Sequence, residues 1–306
     1  MDRPLVLGTR GSPLAMAQAR MTAGALEVAH GWPEGSVVLR PVKTSGDRIQ
    51  DRPLAEVGGK ALWTKELDLA LLAGETDFSV HSMKDVESER PDSLCIVATL
   101  ARADVRDRLI GAPSVEALGQ GAKVGTSSPR RAAQLLRLRP DLRVESIRGN
   151  VATRLTRLQG GEYDATLLAA AGLDRLGIEV GTPVEIGTML PAPGQAAIGI
   201  ECRSDDERTR GLLQAINHTP THHAVTAERR FARAIGGSCH SPVAALAVEH
   251  GDGRVWLRAE LLSSDGAEHV AGELLFDLEP DEQAPERLAA GLLERAPAAV
   301  RSLFGG

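Results

Sequence analysis

The residues best suited to chemistry are the arginines between residues 123 and 157. This segment carries nine basic and two acidic side chains, although the whole chain has a net charge of −6. A guanidinium group is a planar fork that can form paired hydrogen bonds with a carboxylate or a phosphate. The segment therefore predicts a site that recognises a polyanion. The alternative is a basic helix face that is simply solvated.

Two strand–turn–helix units are expected to position these arginines. Ser128 is suited to cap a helix whose first turn carries Arg130 and Arg131. Free backbone N–H groups and the helix dipole favour an anion at such a helix end. The second unit repeats the pattern, with a turn at residues 148–150 before a helix that carries Arg154.

A second candidate is Cys239, which lies on the glycine-rich segment 235–242. Glycines let a loop turn tightly or approach a ligand closely, which suits a thiol presented to a cleft, and a small residue at a tight bend is the alternative. Cys95 and Cys202 lie in apolar runs and are interpreted as core cysteines. The histidines of residues 218–223 could join Cys239 at a zinc ion, but no paired-cysteine spacing exists, so no metal is expected.

A third candidate is the polar cluster of residues 81–85, which follows an apolar strand-like run. Asp85 lies beside Lys84 and is expected to stay ionised near an arginine-rich cleft, where a carboxylate stabilises a cation or passes protons. A local ion pair at the end of a strand is the alternative.

Composition sets the class of protein. The chain has 306 residues and is 42% hydrophobic, which predicts two or three ordinary globular domains. No apolar run approaches the length of a membrane span, and no leader is recognised at the first residues, so a cytoplasmic location is expected. Three cysteines far apart favour a reducing compartment over a disulfide framework.

The order of elements predicts the architecture. Strand-like and helix-like segments alternate over the first two thirds, which indicates parallel α/β layers. Residues 8–13 resemble residues 125–129, each between a strand and a helix, which favours two similar lobes with a ligand at the carboxyl ends of their strands. Strand-like runs with hairpin turns over residues 243–278 predict an antiparallel sheet. A closing helix over residues 282–303 is expected to be interrupted at Pro297.

Taken together, these motifs resemble the hydroxymethylbilane synthase family, also called porphobilinogen deaminase, over almost the whole chain. The segments that carry the resemblance are Leu7 to Ala15, Val57 to Lys60, His81 to Val86, Gly125 to Ser128, Arg148 to Val151, Leu190 to Gln195, Glu228 with Arg229, and Gly237 to Cys239. The chain departs from the expected family pattern at Glu56, Glu87, Pro129 and Ser241.

The resemblance implies an α/β fold of two periplasmic-binding-protein-like lobes with a C-terminal α+β domain, which contains a three-stranded antiparallel sheet and helices. Lobe one is expected to span residues 1–99 plus 197–217, lobe two residues 100–196, and the cofactor-anchoring domain residues 218–306. The implied enzyme is a transferase of heme and porphyrin biosynthesis. It joins four porphobilinogen molecules head to tail, releases ammonia, and frees the linear tetrapyrrole 1-hydroxymethylbilane.

The resemblance also implies the roles of individual residues. A dipyrromethane cofactor is expected to be covalently attached through Cys239, and Asp85 is the implied catalytic residue. The residues implied to bind the cofactor are Lys84, Ser128, Arg130 and Arg131. The residues implied to bind porphobilinogen or the growing oligopyrrole chain are Arg10, Ser12, Ser82, Arg148, Gly149, Arg154 and Arg175. The enzyme is expected to be a monomer with no nucleic-acid or membrane partner.

Two other classes of protein use some of the same features. A two-lobed carboxylate-solute binding protein without catalysis would share the architecture, but it needs neither Cys239 nor the last domain and normally carries an export leader. A nucleic-acid binder would use the arginines, yet aromatic residues make up only 3% of the chain and are not interleaved with the basic residues.

Overall fold

The computed structural model describes residues 3–44, 64–237, 241–250, 252–277 and 283–304. Within these ranges the strands are β1 (Leu5–Arg10), β2 (Val37–Val42), β3 (Phe78–Ser82), β4 (Leu94–Thr99), β5 (Asp107–Ile110), β6 (Lys123–Gly125), β7 (Arg143–Glu145), β8 (Ala165–Ala169), β9 (Thr182–Pro183), β10 (Ile198–Arg203), β11 (Val243–Glu249), β12 (Arg254–Leu262) and β13 (His269–Asp277). The helices are α1 (Pro13–His30), α2 (Lys65–Leu72), α3 (Pro129–Leu138), α4 (Val151–Gln159), α5 (Ala170–Arg175), α6 (Glu207–Gln214), α7 (Thr219–Ala234), α8 (Ala284–Arg295) and α9 (Ala298–Arg301).

The chain divides into two compact units, and the first consists of the described residues of Met1–Ala103 and Ala196–His222. Its five-stranded sheet has the order β2-β1-β3-β10-β4. β1 pairs in parallel with β2 and β3, whereas β10 is antiparallel to β3 and β4. Leu5, Leu7, Leu26 and Phe78 are fully buried in the core of this sheet, because α1 covers β1 and β3.

The second unit consists of the described residues of Asp104–Gln195 and His223–Gly306, and it contains two sheets. The first is five-stranded with the order β7-β6-β8-β5-β9. β6 pairs in parallel with β7 and β8, and β5 is antiparallel to β8 and β9. The three neighbouring strands β7-β6-β8 thus repeat the arrangement of β2-β1-β3, as the echo between residues 8–13 and 125–129 predicted.

The other sheet of the second unit is the antiparallel meander β11-β12-β13. One face packs against helices, where Phe231, Val255, Leu257 and Leu292 form part of a buried cluster. The closing helix is interrupted as predicted, since α8 ends at Arg295 and α9 begins after Pro297.

The predicted fold class is confirmed: two α/β sheets with helices are followed by a three-stranded antiparallel sheet. The two larger sheets are mixed, however: the predicted parallel arrangement holds for β2-β1-β3 and β7-β6-β8, whereas β10 and β5 run antiparallel to their neighbours. β10 enters the first sheet from the returning chain and runs antiparallel between β3 and β4, and the alternation of segments along the sequence carries no signal for such a return. The predicted division into three domains stays a prediction.

Within the described ranges, no helix is both long enough and apolar enough to cross a bilayer.

Candidate functional site

A cavity in the first unit brings together four of the predicted site residues. Arg10, Ser12, Ser82 and Asp85 line the same space, which measures about 420 Å³ including the part open to solvent. The other lining residues are Leu14, Ala15, Gln18, Thr64, Val80, His81 and Val86. The carboxyl ends of the parallel strands β1 and β3 meet here, which is where α/β folds commonly bind ligands.

The junction of β1 and α1 supplies the first side of this cavity. Arg10 is the last residue of β1, and Ser12 caps α1 by accepting a hydrogen bond from the backbone N–H of Ala15 at 3.3 Å. Pro13 occupies the first turn, where its missing N–H costs no hydrogen bond. A cation and a helix N-terminus therefore lie next to each other, which favours an anionic ligand.

The end of β3 supplies the opposite side. Ser82 is its last residue, and a single 3₁₀ turn, Met83–Asp85, carries Lys84 and Asp85. This turn rests on β10, because a Cβ at Gly199 would overlap the sulfur of Met83. The backbone N–H of Met83 also donates to the carbonyl oxygen of Ala197 at 3.0 Å. The position of Asp85 thus depends on a tight contact with the neighbouring strand.

Gln18 was not predicted as a site residue, although it lines the cavity. It is buried, and its side-chain amide bonds the Ser82 hydroxyl, with Nε2 and Oε1 at 2.8 and 3.1 Å from Oγ. Gln134 occupies the same place after Ser128 that Gln18 occupies after Ser12, and it bonds Arg130 at 2.8 Å. The repeated Ser-Pro motif followed by a glutamine was the signal that could have identified both.

A buried ionic cluster lies behind the cavity wall. His81 Nε2 is 3.1 Å from Glu201 Oε2, and both side chains are almost completely buried. Arg90 donates from Nε to Glu201 Oε1 at 2.8 Å and from Nη2 to Asp68 Oδ1 at 2.5 Å. Burial raises the pKa of Glu201, but the hydrogen bonds and charges of His81 and Arg90 outweigh it and lower that pKa to about 2. Glu201 is therefore an anion at neutral pH.

One departure from the expected family pattern belongs to this cluster. Glu87 Oε2 accepts a hydrogen bond from Arg90 Nη1 at 3.2 Å and another from the Thr64 hydroxyl at 3.2 Å. Glu87 thus ties the segment after Asp85 to α2 and to Arg90. Sequence reasoning gave it no partner.

In the second unit, Ser128 caps α3 as predicted. Its hydroxyl accepts a hydrogen bond from the backbone N–H of Arg131 at 3.4 Å, and Pro129 occupies the first helical position. Arg130 and Arg131 lie in the first turn, and both side chains are buried.

Asp107 at the start of β5 pairs with both of these arginines. Its carboxylate accepts from Arg130 Nη2 at 2.8 Å, from Arg131 Nε and Nη2 at 3.1 and 2.6 Å, and from Gln195 Nε2 at 2.9 Å. Burial raises the pKa of Asp107, but Arg131 and Arg130 together lower it well below its usual range. No local pattern pointed to this carboxylate, because it precedes its partners by more than twenty residues.

α3 is also tied to the C-terminal sheet within this unit. Gln134 Nε2 donates to Glu260 Oε2 of β12 at 3.0 Å, and Arg137 lies 3.4 Å from Glu260 Oε1. The turn at Gly266 passes so close to α3 that a Cβ there would overlap the carbonyl oxygen of Ala133. The helix that carries Arg130 is therefore held by the sheet that follows Cys239 in the chain.

The remaining predicted cations also lie in the second unit. Arg148 and Gly149 precede α4, and Gly149 has a φ of 105°, which favours glycine. Arg154 Nε donates to the carbonyl oxygen of Gly149 at 2.9 Å. Arg175 is the last residue of α5, and burial lowers its pKa while Asp174 opposes the change.

Cys239 lies outside the described residues, as do Glu56 and the segment from Val57 to Lys60. The structure thus places Arg10, Ser12, Ser82 and Asp85 around one cavity. It places Ser128, Arg130 and Arg131 around one helix end.

Two family models cover most of the chain. Residues 5–211 match the model described as porphobilinogen deaminase, dipyromethane cofactor binding domain. Residues 222–294 match the model described as porphobilinogen deaminase, C-terminal domain. The chain belongs to the porphobilinogen deaminase family.

Curated relatives agree with this assignment. A porphobilinogen deaminase from Sphingopyxis alaskensis is 55% identical over 309 residues, which cover 99% of this chain and 97% of that protein. A porphobilinogen deaminase from Paracoccus denitrificans is 47% identical over 301 residues, which cover 97% of this chain and 96% of that protein. The predictions of the family, of the enzyme class and of a dipyrromethane cofactor are confirmed by these matches.

Among solved structures, a TRAP periplasmic solute binding protein from Desulfovibrio salexigens aligns with a TM-score of 0.42 and 11% identity. The alignment covers 76% of this chain and 76% of that chain. YhfZ from Shigella flexneri aligns with a TM-score of 0.39 and 18% identity, covering 75% of this chain and 89% of that chain.

The donors of α3 fit the cofactor of the porphobilinogen deaminase family. The pyrrole rings of dipyrromethane carry carboxylate arms, which need hydrogen-bond donors. Arg130 Nε is buried and has no hydrogen-bond partner among the described residues, and it lies in the first turn of the helix that Ser128 caps. A buried N–H without an acceptor is costly, so a ligand carboxylate there would be stabilising.

Proposed function

We propose that this protein polymerises four porphobilinogen molecules, head to tail, into the linear tetrapyrrole 1-hydroxymethylbilane. Ammonia leaves at each condensation, and water releases the finished chain. The observation that best supports this proposal is the cavity at the ends of β1 and β3, where the hydroxyl groups of Ser12 and Ser82 meet Arg10 and Asp85. The arginine and the hydroxyl groups suit the carboxylates of the substrate, and the carboxylate of Asp85 suits a substrate centre that becomes cationic.

Asp85 is the proposed catalytic residue. The C–N bond of the protonated aminomethyl group breaks, its electron pair leaves with ammonia, and the pyrrole that remains carries a positive charge. A carboxylate fixed beside the ring nitrogen stabilises this charge without reorganising solvent, which is commonly the largest catalytic contribution. Asp85 is suited to this role because the 3₁₀ turn that carries it is packed tightly against β10.

The proposed binding groups are cations and hydroxyl groups. Arg10, Ser12 and Ser82 of the cavity are assigned to porphobilinogen or the growing chain. The same role is proposed for the residues Arg148, Gly149, Arg154 and Arg175. Each added ring brings two more carboxylates, and guanidinium forks are suited to pair with them.

We assign the cofactor to Cys239, through a thioether, with its carboxylates held by Lys84, Ser128, Arg130 and Arg131. When bound, dipyrromethane supplies the free pyrrole carbon from which the chain grows. Ser128 and the first turn of α3 offer N–H and hydroxyl donors for a carboxylate, and the buried Nε of Arg130 offers another. The fixed geometry of α3 keeps these donors in place.

The test is turnover of porphobilinogen by the purified protein. We expect ammonia and a linear tetrapyrrole in a ratio of four to one, the tetrapyrrole being read as porphyrin absorbance after acid and oxidation. Asp85→Asn should lose turnover by about a hundredfold or more, because one preorganised charge is removed from the reacting centre. Glu75→Gln, which alters an exposed pair with Arg40, is the matched control and should retain activity.

Two results would contradict the proposal. A wild-type protein that binds porphobilinogen without releasing ammonia would indicate a binding protein. Normal steady-state turnover by Asp85→Asn would remove Asp85 from the reaction.

A further inference from the structure

The buried cluster behind the cavity contains one group that faces both the ionic network and the cavity. His81 lines the cavity together with Asp85 and Ser82, and its Nε2 atom lies 3.1 Å from Glu201 Oε2. No role is assigned to His81 by the proposed function above.

The hydrogen between His81 and Glu201 can be assigned. Glu201 is ionised at neutral pH, because its pKa is lowered to about 2 despite its burial. A carboxylate without a proton only accepts hydrogen bonds, so the shared hydrogen is carried by His81 Nε2. Nε2 is protonated in the neutral ring and in the charged ring alike. The nitrogen that gains or loses a proton is therefore Nδ1.

Nδ1 is also the nitrogen that the described residues leave available. It makes no hydrogen bond to any residue in the part of the chain that the structure describes. In a neutral ring with hydrogen on Nε2, Nδ1 carries a lone pair and is a proton acceptor. The ring is thus held in one tautomer, in the same way that a buried carboxylate orients a catalytic histidine.

The ring lies beside a cluster rich in carboxylates. Arg90 is the cation of the cluster, and it contacts three carboxylates, those of Asp68, Glu87 and Glu201. Among the described residues, the carboxylates of this cluster outnumber its guanidinium group, and Arg10 lines the same cavity. Asp85 adds another negative charge on the cavity side.

We propose that His81 is a proton acceptor of this site. Its Nδ1 accepts the proton that a pyrrole carbon loses during condensation, while Glu201, held by Arg90, keeps the ring in the competent tautomer. This inference rests on the proposed function. When the new C–C bond has formed, the attacking ring is cationic. Its C–H bond breaks, the electron pair restores the aromatic ring, and the proton passes to Nδ1. The proton then leaves with the released ammonia as ammonium.

His81→Gln tests the chemistry separately from the packing. The glutamine amide can still donate to Glu201, so the buried hydrogen bond is kept, but no group remains that accepts a proton at the position of Nδ1. We expect kcat to fall by about a hundredfold with little change in KM, since a general base typically contributes this much or more. An unchanged kcat would show that His81 is only structural and would overturn the inference.

Glu201→Gln tests the positioning role, and Asp68→Asn is its matched control. Both substitutions remove a carboxylate from Arg90, but only Glu201 contacts His81. We expect kcat to fall in Glu201→Gln and to be retained in Asp68→Asn, with KM unchanged in both. Equal losses in the two variants would assign the effect to the stability of the cluster and would contradict the inference.

A spectrum of the holoenzyme provides a readout besides activity. The chain has eight histidines, so selective ¹⁵N-histidine labelling gives few ring signals, and His81→Gln identifies those of His81. In the wild type, long-range ¹H–¹⁵N correlations should show a single tautomer of His81 with hydrogen on Nε2. In Glu201→Gln they should show a mixture of the two tautomers. Hydrogen on Nδ1 in the neutral ring would overturn the inference. A wild type without turnover would instead refute the proposed function, whatever the tautomer.

Discussion

Replacing Asp107 by Asn should destabilise the second unit severely. Asp107 is buried and accepts four hydrogen bonds, three of them from Arg130 and Arg131. An amide removes the negative charge that compensates two buried guanidinium groups, and its NH2 group turns one acceptor into a donor that faces other donors. Breaking a buried ion pair by removing one partner typically costs about 3–5 kcal/mol.

The expected loss of stability can be measured as a change in Tm. For a unit of this size each kcal/mol corresponds to about 2–4 °C, so the Tm of Asp107→Asn should fall by roughly 6–20 °C. Far-UV circular dichroism during heating gives the Tm, and the intact mass of the purified variant gives the fraction that carries the cofactor. We expect both to fall, because Arg130 and Arg131 are the proposed holders of the cofactor's carboxylates.

Asp252→Asn is the control for Asp107→Asn. It removes a carboxylate from the exposed pair with Arg254, which should leave Tm close to the wild-type value. A Tm for Asp107→Asn within about 2 °C of the wild type would refute the reasoning, since it corresponds to at most about 1 kcal/mol. It would mean that the two arginines are satisfied without Asp107.

Three further substitutions test other parts of the account. Gly199→Ala should lower the free energy of unfolding by about 1–3 kcal/mol and reduce kcat, because the alanine methyl group would displace Met83 and the turn that carries Asp85. A melting curve and a kinetic assay measure the two effects. Ala196→Gly should raise Tm, because Ala196 has a φ of 68° and a non-glycine residue there costs about 1 kcal/mol or more. Glu201→Gln should flatten the acid-denaturation curve, because folding lowers the pKa of Glu201 from its usual 4.5 to about 2. The ionised carboxylate of Glu201 therefore stabilises the folded state fully above pH 4.5, and this contribution is lost as pH falls towards about 2. Parallel acid-denaturation curves for this variant and the wild type would count against that assignment.

The local pattern of the sequence predicted the Ser128 cap of α3. Ser12 caps α1 in the same way, and both caps depend on residues within three positions along the chain. The interruption at Pro297 is another local effect. Such features are predictable because each depends only on residues a few positions away along the chain.

Partners that are distant in sequence were not predicted. Asp107 meets Arg131 across 24 positions, and His81 meets Glu201 across 120 positions. Nothing in the composition around Asp107 distinguishes it from the neighbouring charged residues. The antiparallel entry of β10, which brings Glu201 to His81, is likewise a property of the assembled sheet.

The candidate site was predicted in part. The sequence identified Arg10, Ser12, Ser82 and Asp85, and the structure brings these four residues to one cavity. Their neighbour His81 lies in a quoted motif but received no role, because a buried imidazole has no recognisable pattern without its partner. Gln18 was missed, although it follows the repeated Ser-Pro motif. The roles of all these residues stay predictions until they are tested by substitution.

The most direct test of the central claim is the intact mass of the purified protein before and after addition of limiting porphobilinogen. We expect the wild type to carry a covalent dipyrromethane already and then to show a ladder of species with successive added pyrrole units. Cys239→Ser should show neither, and Asp85→Asn should carry the dipyrromethane without forming the ladder at a comparable rate. A wild-type protein that forms tetrapyrrole while its mass equals that of the bare chain would contradict the claim.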